Sequence, residues 1–299
     1  MRKVRWYVIA GFLGLPLLLY TWLFVFPSLQ ALYLSLTDWS GMVMRHSFIG
    51  LDNYVRLFQD KYFITALGNS MVYLFGGGIV IFLISLLFTF CLTVIGMKRK
   101  RFVTNLFYFP NMVSSSAVAL LWIFILSPGF GLLPNLFMQL GLRDLAFYPW
   151  LGNRWGAMMA FILIATWSGV GFYLLVFVSG LDKIPATLMD AAKTDGATTR
   201  QMFFKISMPL LKDIIIINLT LWVINSIKFF EIPWAMTEGA PANQTHTLAT
   251  YQYMSAFGTK YNSVNAYGYA SAIAVVMVLL IFLGTVIIRR FEDKEPMEF

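Results

Sequence analysis

Charged residues are absent from six long stretches of the chain. No Asp, Glu, Lys or Arg occurs at 6–37, 62–97, 102–142, 155–181, 214–227 or 261–288. Five of these exceed the ~20 residues that a helix needs to cross the hydrocarbon layer of a bilayer. The run 214–227 is short by itself. It reaches sufficient length when continued through Lys228 and Glu231 to about Met236. The run 102–142 is too long for one crossing and contains Pro128 and Pro134. It reads as a helix to about Ser127 followed by a loop. The pattern thus predicts spans at 7–36, 64–96, 102–127, 155–181, 210–236 and 265–288. The expected fold is an all-α, six-span membrane protein, with one domain over 1–299.

Basic residues orient these spans. The N-terminus carries Arg2, Lys3 and Arg5, and the link 97–101 carries Lys98, Arg99, Lys100 and Arg101. The segment 182–212 carries Lys183, Lys193, Arg200, Lys205 and Lys212, and the tail carries Arg289, Arg290 and Lys294. These segments fall on one side and hold 15 of the 22 Lys and Arg. By the positive-inside rule that side is cytoplasmic. Both termini and 182–209 are therefore expected in the cytoplasm, with 37–63, 128–154 and 237–264 outside.

The 299 residues are 59% apolar and only 12% charged, about half the charged share of a soluble domain. The net charge of +8 is accounted for by this topological bias and calls for no nucleic-acid partner. The N-terminal apolar segment is about twice the length of a signal-peptide core and lacks a small-residue cleavage site, so it reads as a retained span. Cys91, the single cysteine, lies within the second span, which leaves no disulfide or cysteine metal site within the chain. His46 and His246 fall in outer loops, and no metal cluster is expected.

The segment between the fourth and fifth spans reads as two short helices. Pro185 suits a first helical turn, and Ala186 to Thr194 are mostly good helix formers. Asp195-Gly196 is a turn signal in which Gly can take a positive φ. Thr198 offers a hydroxyl cap to a second helix. Leu188, Met189, Ala192, Met202, Phe203 and Phe204 sit amid charges, so each helix is amphipathic, with a face suited to docking. Taken alone, this is also the composition of a solvated or lipid-interfacial loop.

The spacing within this loop carries more. Asp190-Ala191-Ala192, three residues, Gly196, nine residues and Ile206-Ser207-Met208-Pro209 resemble the EAA loop of importer permeases driven by ATP-binding cassettes. Asp190 stands where Glu is usual. Other segments extend the resemblance in order: Phe48 to Tyr54, Asn69-Ser70, Phe109-Pro110, Gly180 to Pro185, Thr237 to Pro241, Thr247-Leu248 and Gly268 to Ala272. They resemble the first permease chain of maltose- and glycerol-phosphate-type transporters.

The resemblance implies a type I importer permease fold at the inner (plasma) membrane. The implied partners are a second homologous permease chain, two ATPase subunits and an extracytoplasmic solute-binding protein. It implies a sugar or oligosaccharide substrate, alternating access, and coupling to the ATPases through Asp190, Ala191, Ala192, Asp195, Gly196, Arg200, Ile206 and Pro209. No G-x-x-x-x-G-K-[ST] loop occurs. No catalytic or cofactor site is therefore expected in this chain, and ATP and Mg²⁺ belong to the partner subunits. Gly76-Gly77-Gly78 is expected to serve helix packing.

The fifth span is the most polar. Ionisable groups at membrane depth usually face a bundle interior or a water-filled cavity. Asn218, Trp222, Asn225, Lys228, Phe229, Glu231 and Trp234 are the candidate substrate pathway. Amides and charges there would meet sugar hydroxyls, and aromatic faces would cover the rings. Lys228 and Glu231, three residues apart, are expected to share a helical face and be able to pair. Helix–helix contact is the competing reading of the polar groups. The alternatives for the whole chain are a glycerol-phosphate or polyol permease and an ion-coupled secondary transporter. The latter favours acidic groups in several spans.

Overall fold

The computed structural model describes residues 6–41, 46–95, 97–258 and 264–291. Arg2, Lys3, Arg5 and Lys294, which contribute to the orientation argument, lie outside the described residues, as do the side chains of Lys98 and Arg99. The described residues are helical throughout, apart from loops and an isolated bridge between Thr37 and Phe48. Among the described residues, five helices are long and apolar enough to cross a bilayer: Gly11–Leu34, Lys61–Thr93, Arg154–Leu181, Lys212–Thr237 and Tyr267–Arg289.

The expected continuous helix over 102–127 is corrected. Lys100–Met112 and Ser115–Leu126 meet at a bend of 88° and make a sixth crossing only as a broken pair. Pro110 has no N–H to give to the preceding turn. The side chain of Ser114 instead caps the following helix by accepting from the Ala117 N–H. The expected 97–101 turn is likewise helical from Met97 onward, as part of Met97–Tyr108. The segment 128–154 contains the helices Leu132–Gln139 and Arg143–Ala146.

The chain forms two compact units, whose boundaries fall within the helices Lys61–Val72, Leu248–Phe257 and Tyr267–Arg289. In the first, Met1–Lys61 with Gln252–Val278, the most apolar window of Gly11–Leu34 is 0% buried. That fits a helix whose apolar surface is satisfied by lipid. Asn53 donates to the carbonyls of Ser35 and Thr37 at 2.9 and 2.8 Å. Gly268 lies so close to the Thr37 carbonyl that a Cβ would sit 2.2 Å from it. Tyr269 donates to Asp60 at 2.5 Å. The Phe48–Tyr54 and Gly268–Ala272 segments are thus tied into the same scaffold.

In the second unit, Tyr62–Tyr251 with Leu279–Phe299, the helix Arg154–Leu181 is the axis. Over half of its most apolar window is buried. Glycines set its approaches. A Cβ at Gly171 would lie 2.1 Å from the Phe107 carbonyl, and one at Gly180 would lie 2.7 Å from Leu211. The Gly76-Gly77-Gly78 run does provide close packing, since a Cβ at Gly78 would meet the Trp222 indole nitrogen at 2.7 Å.

Candidate functional site: a polar loop and a broken span

The polar loop folds as two short helices. The first is Ala186–Thr194. Gly196 follows at φ +77°, in the left-handed region, and the Ala197 N–H closes onto the Ala192 carbonyl at 2.9 Å. Thr198 and Gln201 then form a reciprocal capping box that starts Thr199–Met202. The chain continues as a wider π-helical turn, Phe203–Ser207, and as Met208–Leu210, which contains Pro209. Leu211, at ψ 2°, breaks the helix before Lys212.

Burial divides the loop. Ala192, Met202, Phe203 and Ser207 are buried and Ile206 is half-buried, whereas Asp190, Ala191, Asp195, Gly196, Arg200 and Pro209 are exposed. Asp190 pairs with Lys193 at 2.8 Å, both side chains largely in solvent, so the bond is weak and easily exchanged. The loop therefore presents a carboxylate beside a cation on an outward face, while its apolar residues hold it to the spans.

The fifth span is broken. Its helix Lys212–Ile227 stops and a second, Glu231–Thr237, begins after Phe230. The expected Lys228–Glu231 pair is corrected accordingly. The break takes the two residues off a common helical face, and no ion pair joins them among the described residues. Both are exposed, with Phe229 and Trp234 half-buried. The Phe229 carbonyl, released by the break, accepts from the Thr247 hydroxyl at 2.7 Å. The Phe229 ring stacks on Tyr73 at 4.0 Å.

Within the first half of the span, Trp222 is buried and donates to the Leu74 carbonyl at 2.8 Å. Asn225 is exposed. Asn218 is 0% exposed, and neither its Oδ1 nor its Nδ2 has a hydrogen-bond partner among the described residues. The structure thus groups Asn225, Lys228 and Glu231 as accessible polar groups and places Asn218 and Trp222 in the packing.

Sequence reasoning missed a clasp at the opposite end of the spans from the polar loop. Asn69 donates to the main-chain carbonyls of Gln244 and His246, each at 2.8 Å, and accepts from Arg154 at 2.8 Å. Ser70 accepts from the Leu248 N–H at 2.9 Å. His246 is 0% exposed and touches Thr250 through Nδ1. Burial pushes its imidazole down to about 4. Gly239, at φ +88°, leaves the space that His246 fills, since a Cβ there would lie 2.1 Å from Nε2. The motifs Asn69-Ser70 and Thr237–Pro241 were both visible in the sequence, but nothing in it paired them.

Five candidate crossings and a sixth as a bent pair among the described residues, together with an amphipathic two-helix loop on a positive-φ glycine, define a polytopic membrane permease. The chain belongs to the family described as binding-protein-dependent transport system inner membrane component, whose profile matches residues 82–295. It is 34% identical to the probable ABC transporter permease protein YurN of Bacillus subtilis, over 86% of this chain and 87% of that one. It is 31% identical to the multiple sugar-binding transport system permease protein MsmF of Streptococcus mutans, over 95% of this chain and 94% of that one. Its fold matches a chain of a bacterial alginate ABC transporter, solved in complex with an alginate pentasaccharide-bound periplasmic protein. The TM-score is 0.79 at 21% identity, covering 98% of this chain and 96% of that one. The fold is that of a type I importer permease, and the chain is a multi-pass membrane protein that serves as a transport pore subunit.

Proposed function

We propose that this chain forms half of the translocation pathway of an ATP-driven importer for a sugar or oligosaccharide. A second, homologous permease chain supplies the other half. Two ATPase subunits bind ATP and Mg²⁺ and dock on the 182–209 loop from the cytoplasm. An extracytoplasmic solute-binding protein delivers the substrate to the opposite side. Both termini lie in the cytoplasm.

The observation that carries this reading is the loop itself. Gly196 at positive φ sets the angle between two short helices, and Asp190 stands exposed on the first. An exposed carboxylate can accept paired hydrogen bonds from a partner's arginine, and exchanging the solvent-exposed Lys193 for such a partner costs little. Closure of the ATPases would then draw the loop inward and convert an inward-facing pore to an outward-facing one. The break at Lys228–Phe230 supports a pathway at this level. Non-helical backbone is tolerated at membrane depth where protein or a water-filled cavity surrounds it. Asn225, Lys228 and Glu231 supply groups for sugar hydroxyls, and Phe229 and Trp234 supply apolar faces.

The test is purification of the chain from its native membrane followed by reconstitution. A second permease and an ATPase are expected to copurify, and ATP-dependent uptake is expected for a saccharide presented by the binding protein. Uptake of solute by this chain without any ATPase would refute the reading. The orientation is checked by single cysteines. One at Thr198 resists an impermeant thiol reagent applied from outside, and one at Gln244 reacts.

A further inference from the structure

Lys100 and Asp182 form an ion pair at 2.6 Å. The lysine side chain is only 11% exposed and the carboxylate 48%. Lys100 lies in the helix Met97–Tyr108, which leads directly into the bend at 109–114. Asp182 is the residue that caps the long helix Arg154–Leu181, four residues before the first loop helix begins at Ala186. The pair therefore joins the entry of the polar loop to the first arm of the broken span.

Open space flanks the pair. A cavity of about 580 Å³ is lined by Arg101, Thr104 and Asn105 among others. Another of about 570 Å³ is lined by Ile184, Met189, Asp190 and Lys193 of the loop. Lys100 and Asp182 line both cavities, so the ion pair borders each. At the far end of the same helix, Gly171 packs directly on the backbone of Phe107 and Tyr108. The helix Met97–Tyr108 is thus held to Arg154–Leu181 by backbone contact near the bend, by apolar packing of Val103 and Phe107 in the cluster of Leu174 and Val178, and by a charge pair at the loop.

We propose that the Lys100–Asp182 pair is a strut that carries displacement of the loop into the broken span. A shift of the Ala186–Thr194 helix moves Asp182, Asp182 moves Lys100, and the helix Met97–Tyr108 then changes its angle to Ser115–Leu126 at Pro110–Ser114. Lys100 and Asp182 are positioning residues in this scheme and touch no substrate. A charge pair suits the task, because a charge-assisted hydrogen bond at 2.6 Å is directional where apolar packing is not. The inference rests on the loop being the docking site of the ATPases.

The test uses the complete transporter copurified with its partners, in a Cys91→Ser background carrying Val113→Cys at the bend. The rate of maleimide reaction at this cysteine is compared without nucleotide and after trapping with ATP and orthovanadate. With the pair intact, trapping is expected to change the rate by about threefold or more, as for an element with two discrete arrangements. K100Q and D182N keep side-chain size and remove the charge, and they are expected to abolish that change while the ATPase still copurifies. The exchanged pair K100D/D182K is expected to restore it. A nucleotide-dependent change that persists in K100Q and D182N overturns the proposal. So does an assembled exchanged pair that behaves like the single variants, or the absence of any change in the intact pair. Failure of the underlying function is read separately: in that case no ATPase copurifies with the unaltered pair.

Discussion

The Asn69 amide donates to the main-chain carbonyl of His246 at 2.8 Å, across 177 positions of sequence. The same amide reaches the Gln244 carbonyl, and Arg154 fixes its oxygen. One side chain thereby ties the second span, the fourth span and the 237–247 loop together. Asn suits this point because an amide offers two donors and an acceptor on one planar group. The arrangement also explains why Gly239 stands where it does. With φ at +88° and His246 against its Cα, the position tolerates no side chain.

Asn69→Ala removes three hydrogen bonds and leaves two loop carbonyls without that donor. At roughly 1 kcal/mol net per bond, a loss of about 2–3 kcal/mol is expected. Thermal unfolding in detergent should show it, together with faster labelling of a cysteine placed at Gln244. Unchanged stability would mean that water replaces the amide at no cost.

His246 makes the clasp sensitive to acid. Its imidazole is held neutral by burial, with a folded value of about 4 against an ordinary ~6.5 in the unfolded chain. The unfolded state therefore binds the extra proton first. The stabilisation from neutral His246 is complete above about pH 6.5 and is lost as pH falls toward about 4, by up to ~1.4 kcal/mol per pH unit. Melting temperature measured against pH checks this. His246→Gln should flatten the acid limb, and an equally steep limb in that variant would assign the effect elsewhere.

Gly196 has nothing within 4 Å of a would-be Cβ, so space is not the constraint there. The constraint is its φ of +77°. Gly196→Val is expected to cost ~1–3 kcal/mol locally and to reduce ATPase copurification. Gly196→Asn, which tolerates the left-handed region, should retain most of it. Equal docking by both variants would remove the turn from the coupling role.

Gly171 and Gly11 offer a paired test of helix packing. Gly171→Ala places a methyl 2.1 Å from the Phe107 carbonyl, whereas Gly11→Ala meets nothing. The first should lower stability by ~1–3 kcal/mol through overpacking, and the second should leave it unchanged. Expression yield and melting temperature of the purified chain discriminate them.

Asn218 buries an amide with no hydrogen-bond partner among the described residues. Asn218→Leu removes the penalty for that desolvated group, worth about 1–3 kcal/mol, and should raise the melting temperature. If uptake falls at the same time, the amide serves the transport cycle. If uptake persists, Asn218 is a packing residue, as its burial places it.

Much of this architecture is local information and therefore legible in the chain. Crossing a bilayer demands long uncharged stretches, and Gly11–Leu34, Lys61–Thr93, Arg154–Leu181 and Tyr267–Arg289 follow from the absence of charge alone. The loop was equally local. Ala186–Thr194, the positive φ at Gly196 and the cap at Thr198 each depend on residues within one or two turns. Tertiary structure decided where helices stop within the apolar runs. Hydropathy is blind to a change of direction, so the 88° bend after Pro110 was hidden inside an uncharged run, and the break at Lys228–Phe230 fell where the run 214–227 ends, a signal equally consistent with a continuing polar helix. It also decided which polar residues meet. Asn69 with His246, and Lys100 with Asp182, are pairs separated by whole spans. Their pairing is set by how helices pack at glycines such as Gly171, a contact between backbones that no pattern of side chains along one chain can announce.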